Sequence, residues 1–128
     1  MTVERCAAWI ALDVEIDRLT LRWATLEAQV ARDHGWLLLG AEARQALPEA
    51  AEMFQIDDEL DVLSNWRDAA LGPLSQLPAK NLRDVAGKLA VAARLLQREA
   101  MRAQPLVDAV LMELGQLQCL ACGAPEAL

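Results

Sequence analysis

Cys119 and Cys122 stand three residues apart, a C-x-x-C spacing that can supply half of a tetrahedral zinc site, with Cys6 and His34 as conceivable completing ligands. Such a site usually draws on a second C-x-x-C or on paired histidines, and this chain has three cysteines and one histidine in all. The residues inside the pair, Leu120 and Ala121, continue an apolar helix, so the spacing reads better as small packed thiols than as metal ligands. A thioredoxin-like redox role needs a strand ahead of the pair, and the pattern there is helical. Zinc binding through Cys119 and Cys122 stays as an alternative reading, and no cofactor is expected.

His34 falls at the end of the first helical segment, where the helix dipole favours even a partly protonated ring. No serine or cysteine in a recognisable nucleophile setting accompanies it, so no catalytic residue is assigned. The carboxylates Glu49, Glu52, Asp57, Asp58, Glu59 and Asp61 form an acidic run with no base among them. Helical bundles that hold two metal ions use Glu-x-x-His motifs converging from different helices, and that motif does not occur here. The run therefore reads as a solvated, partner-facing edge. Between positions 79 and 104 the balance reverses, with Lys80, Arg83, Lys88, Arg94, Arg98 and Arg102 against Asp84 and Glu99 only. A small nucleic-acid-associated regulator could use this basic third helix, but no aromatic stacking platform accompanies the bases, and a net charge of -7 opposes general attraction to phosphate.

These residues must be positioned by helices. Apolar residues make up 55% of the 128, Ala and Leu dominate, there is no Tyr and β-branched residues are few, which favours helix throughout. Trp9, Leu12, Ile16, Leu19, Trp23, Leu26 and Val30 recur at alternating steps of three and four, predicting one helix from residue 2 or 3 to 33 with a continuous apolar seam and Gly35 as its left-handed cap. At 1.5 Å per residue it is roughly 45 Å long. A second line, Ile10, Val14 and Leu21, is expected to widen the buried face. The tetrad 36–39, Trp-Leu-Leu-Leu, is expected to fold back and plug the end of the core.

A short helical turn is expected at 41–47, and Pro48 at the first position of a second helix over 48–71, with Met53, Ile56, Leu60 and Leu63 inside, Phe54, Trp66 and Ala70 beside them, and Gly72-Pro73 as its stop. A third helix follows Pro78, capped by Asn81, with Leu82, Val85, Leu89, Ala92 and Leu96 facing the core. Gly87 and the neighbouring alanines permit close helix approach there. A fourth helix begins at Pro105 with Leu106, Val107, Val110, Leu111, Leu114 and Leu117 inward, and frays after Cys119. The expected fold is all-α, an antiparallel bundle of about four helices with a long N-terminal helix, in a single domain over 1–128 with a flexible tail after about 122.

The stretch 77–89, Leu-Pro-Ala-Lys-Asn-Leu-Arg-Asp-Val-Ala-Gly-Lys-Leu, resembles a pattern of small uncharacterised helical proteins from alphaproteobacteria and their prophages, in which a Pro-Ala-x-Thr/Ser turn opens a helix carrying a Lys about eight residues later. Pro78, Asn81 and Lys88 hold the matching positions, with Asn81 in place of the hydroxyl residue and Asp84 where a Gly is common. The resemblance extends to 105–117 and more loosely to the helix around Trp66. It implies an all-helical, often oligomeric protein and no established activity.

No segment has the length and apolarity of a membrane span, and no signal peptide is apparent; with an odd cysteine count this points to a cytoplasmic protein with reduced thiols. Lys88 could be a salt-bridge partner of the acidic run or a binding residue, and Trp9 could be core or interface anchor. The functional expectation is a non-catalytic protein–protein interaction or accessory module. It would be a homodimer or bind a partner protein through Trp9, Leu12, Ile16, Leu19, Trp23 and Leu26.

Overall fold

The computed structural model describes residues 1–98 and 100–117; the Cys119–Cys122 pair, the expected fraying after Cys119 and the tail beyond 122 lie outside them. Within the described residues there is no strand. The fold is all-α: α1 (Thr2–His34), α2 (Ala41–Ala46), α3 (Ala51–Gln76), α4 (Leu82–Leu96) and α5 (Ala100–Gln116), with single 3-10 turns at Trp36–Leu38 and Pro48–Ala50. No helix among the described residues is long and apolar enough to cross a membrane. The chain divides into two compact units, one of Met1–Ala11 with Asp68–Leu128 and one of Leu12–Arg67. Both α1 and α3 pass from one unit into the other.

The predicted helix over the first 33 residues is present and continuous. Its buried positions are Thr2, Cys6, Trp9, Asp13, Ile16, Leu19, Leu26 and Val30, with Leu12 and Trp23 half-buried. The seam is thus a run of steps of three and four that includes three polar or thiol side chains, and it is narrower than expected. Val14 and Leu21 of the second line stand in solvent, while Ile10 is half-buried. A two-position stripe is what a single helix presents to close-packed neighbours. Gly35 ends the helix at φ 63°, its N–H donating to the Ala31 carbonyl at 3.2 Å.

In the Leu12–Arg67 unit, Leu19, Leu26, Val30, Trp36, Ala50, Met53 and Ile56 form the core, with Phe54, Leu60 and Leu63 packed against it. The expected plug is buried only in part: Trp36 is inside and Leu39 half-buried, whereas Leu37 and Leu38 are exposed, because a 3-10 turn places successive side chains about a third of a turn apart. Trp36 is held by the Phe54 ring, its centroid 6.2 Å away, and by the Arg44 guanidinium 4.4 Å from its ring centre, while Arg44 Nε donates to the Trp36 carbonyl at 3.2 Å.

Pro48 opens a 3-10 turn, and α3 proper starts at Ala51. Gly72 and Pro73 do not stop α3, which continues to Gln76. Pro73 lacks the N–H that would bond the carbonyl of residue 69, a cost of about 3 kcal/mol in a helix interior. Continuing one more turn buries Leu74, and the Ser75 hydroxyl takes up the Gly72 carbonyl at 2.7 Å. Trp66 and Ala70, expected beside the inner stripe, are exposed.

In the other unit, Cys6, Trp9, Leu74, Val91, Ala92, Leu95, Ala103 and Leu106 form the core. Pro105 lies inside α5 and does not begin it, since the helix starts at Ala100 and buries Ala103 a turn earlier. Leu106 and Val110 face inward as expected; Leu111 is exposed, and Val107, Leu114 and Leu117 are half-buried. Gly87 admits the close approach anticipated for it: a Cβ there would lie 3.2 Å from Cys6 Cβ and 3.6 Å from Val3 Cα.

Gly35→Ala tests the first turn. Holding an L side chain in left-handed backbone costs roughly 1–2 kcal/mol, so the variant's urea midpoint should fall by that equivalent with the slope unchanged.

Candidate functional site

Pro78, Asn81 and Lys88 converge on one polar joint. Asn81 caps α4, its Oδ1 accepting the Asp84 N–H at 3.0 Å. Asp84, buried, uses its other side: Oδ1 accepts the Val3 N–H of α1 at 3.2 Å and Oδ2 the Lys80 N–H at 2.9 Å. One carboxylate therefore meets the positive N-terminal ends of two helices, where a negative charge is stabilised. The Thr2 hydroxyl donates to the Pro78 carbonyl at 2.7 Å and fixes the same corner.

One turn further along α4, Lys88 is 1% exposed and its Nζ pairs with Glu113 Oε1 of α5. The second oxygen of Glu113 accepts the Ala79 N–H, so this carboxylate is bound on both sides. Lys88 thus takes neither of the roles open to it in the sequence: its partner is Glu113 and not the acidic run, and it offers no charge to solvent. Cys6 lies against this group. Burial pushes its thiol up; Lys88 opposes that shift, and Asp84 and Glu113 reinforce it. A thiol kept protonated in a closed core is a packing group rather than a nucleophile.

Beside the joint, a cleft of about 420 Å³ is walled by Val3, Leu77, Pro78, Lys80, Arg83 and Asp84 among others. Both of its buried polar side chains, Thr2 and Asp84, are already hydrogen-bonded within the chain. In the Leu12–Arg67 unit the corresponding polar element is Asp13, 0% exposed, which accepts from Arg67 Nη1 at 3.1 Å. His34 sits in the last turn of α1 with Nε2 3.9 Å from Glu49 Oε1, a helix-end position as anticipated. Cys6 and His34 belong to different units, and among the described residues no three His, Cys, Asp or Glu side chains are grouped to hold a metal.

The expected contact residues are placed inside. Trp9, Ile16, Leu19 and Leu26 are 3–6% exposed and serve the chain's own cores, with Leu12 and Trp23 half-buried beside them. Open apolar side chains occur on several elements, Leu37 and Leu38 after α1 and Met101, Leu111 and Met112 on α5 among them, and on α4 they form a regular stripe. The core face of α4 is Asp84, Val85, Lys88, Val91, Ala92 and Leu95, about a quarter of a turn from the expected Leu82, Val85, Leu89, Ala92 and Leu96. As a consequence Ala86, Leu89, Ala93 and Leu96 are exposed, and with half-buried Leu82 they form a second three-four stripe that the core does not use. On α3, Val62 and Trp66 are 48% and 62% exposed, one turn apart, among the exposed acids Asp58, Glu59 and Asp61. Of the acidic run Glu52 is held by Arg22 at 3.0–3.1 Å, which lowers the Glu52 carboxyl's pKa. In the basic stretch Arg102 Nη2 meets Asp68 at 3.2 Å. No protein-family model, curated protein or solved structure matches the chain.

Two measurements probe the joint. Lys88→Ala leaves Glu113 buried beside no cation and should cost about 3–5 kcal/mol by urea denaturation, whereas Lys88→Met with Glu113→Gln should recover more than half of that loss. In a Cys119→Ser, Cys122→Ser background, Cys6 should resist a thiol reagent under native conditions and react on unfolding. Because the folded thiol's pKa is raised, its contribution to stability is complete below the unfolded thiol's pKa and is lost as pH climbs through the folded value.

Proposed function

We propose that this protein is a non-catalytic helical protein–protein interaction or accessory module that associates with itself. The observation that carries this reading is the stripe Leu82, Ala86, Leu89, Ala93 and Leu96 on α4, regular over the whole helix and outside the core. Apolar side chains in helical register and in water are the ordinary mark of a surface awaiting another helix. The charged groups that the fold gathers, by contrast, are engaged with one another, Lys88 with Glu113 and Asp84 with two backbone N–H groups.

This moves the contact surface. A dimer through α1 would need Trp9, Ile16, Leu19 and Leu26, which the chain already covers, so the reading assigns contact to α4 and leaves α1 as framework. Pro78, Asn81 and Lys88, the positions shared with the alphaproteobacterial and prophage pattern, then build the joint that holds α4 in place and are not themselves the contact. We place the protein in the cytoplasm, a compartment suited to the free buried thiol of Cys6.

Light scattering at micromolar concentration tests self-association directly. The expected mass is at least twice the 14.0 kDa of one chain; a monomer mass across the micromolar range would overturn the proposal.

A further inference from the structure

Two open apolar faces of this chain carry opposite charge. On α4 the only acid, Asp84, is buried, so the charges outside the core are Arg83 and the half-buried Arg94, which has interactions of its own. On α3 the segment before Trp66 holds Glu52, Asp57, Asp58, Glu59 and Asp61 and no base, all of them exposed. Glu59 lies on the side of Arg18 of α1, which is itself bonded to Glu15 and feels the Glu59 charge, and Asp58 and Asp61 flank Val62 on its other side.

The shapes are also complementary. Along α4, Ala86, Ala90 and Ala93 make a low strip beside the single row of Leu82, Leu89 and Leu96, which are seven residues apart. Val62 and Trp66, four residues apart on one side of α3, are projecting side chains that need such a strip, and an indole is a typical interface anchor. Pairing α4 with α4 would set Arg83 and Arg94 against their own copies, and pairing α3 with α3 would oppose two acidic runs. Only the cross pairing brings unlike charges together.

We infer that the α3 face around Val62 and Trp66 of one molecule docks on the alanine-lined α4 face of a second copy. The contact is heterologous: it uses a different patch on each partner, so a molecule has one donor face and one acceptor face, and association closes into a ring or continues as an open chain. This deepens, and rests on, the self-association proposed above.

Complementation separates the two ideas. Trp66→Asp removes the α3 face and Ala93→Glu blocks the α4 face, both at exposed positions that the cores do not use. By analytical ultracentrifugation each variant alone should associate on the order of thirtyfold more weakly than wild type, the loss expected of an anchor residue. Their equimolar mixture should form a one-to-one dimer and nothing larger, and wild-type association should weaken as salt is raised. Val62→Asp and Ala86→Glu form a second pair should either first variant lose its helical circular dichroism. A wild type that associates while the mixed variants remain monomeric, or while either variant keeps its wild-type mass, would overturn the cross pairing and leave self-association standing. A monomeric wild type would sink both.

Discussion

An ammonium group taken out of water must be met by a carboxylate, and on α4 that requirement decides which way the helix faces. Lys88 is nearly inaccessible and Glu113 of α5 receives it. With Lys88 at the centre, the helical repeat sends Asp84, Val85, Val91, Ala92 and Leu95 inward. The same repeat turns Leu89, Ala93 and Leu96 about a third of a turn or so away. A helix with apolar residues around most of its circumference could bury either stripe. The ion pair selects one and leaves the other in solvent.

The polar joint beside that pair is stable because nothing in it is left half-satisfied. Asp84 answers backbone donors from the first turns of α1 and of the segment leading into α4; Glu113 answers Lys88 and the Ala79 N–H; Thr2 answers Pro78. Backbone N–H groups at helix starts lack intrahelical acceptors, so a buried carboxylate serves them better than water would at a closed corner. Gly87 completes the arrangement without any polar role, since its missing side chain is what lets α4 come within contact of Cys6 and Val3.

Much of the architecture was legible in the residues. The three-four spacing from Trp9 to Val30 marked α1, Gly35 marked its end, and Asn81 with Asp84 three residues on marked the start of α4, because each is a local rule satisfied by local atoms. What was not legible depended on distant partners. Thr2, Cys6 and Asp13 continue the α1 seam but look like surface residues until Pro78, the α4 backbone and Arg67 are brought to them. The salt-bridge partner of Lys88, Glu113, is equally distant in sequence, and without it the leucines Leu82, Leu89 and Leu96 mark the α4 core face by spacing alone. Pro73 and Pro105 carry the local marks of helix boundaries; each is overridden by an apolar neighbour, Leu74 after the first and Ala103 before the second, that the continued helix buries. The exposed position of Trp66 had no local signature, since an indole at helical spacing fits a core equally well.

Charge segregation gives the last step. Asp57, Asp58 and Asp61 stand within one turn of each other on α3, three and four residues apart in two of the three pairs, a spacing at which like charges weaken a helix by a few tenths of a kcal/mol each. An isolated molecule gains nothing from that crowding, because Lys88 is committed to Glu113, while Arg22 goes to Glu52 and His34 stands beside Glu49 at the start of the run. In a chain of net charge -7, placing Asp58 and Asp61 beside one open apolar patch and Arg83 beside another is unfavourable for each patch alone. It becomes favourable once the two kinds of patch meet, which is a physical reason for a solvent-exposed indole among carboxylates and a solvent-exposed leucine–alanine stripe to occur in the same small protein.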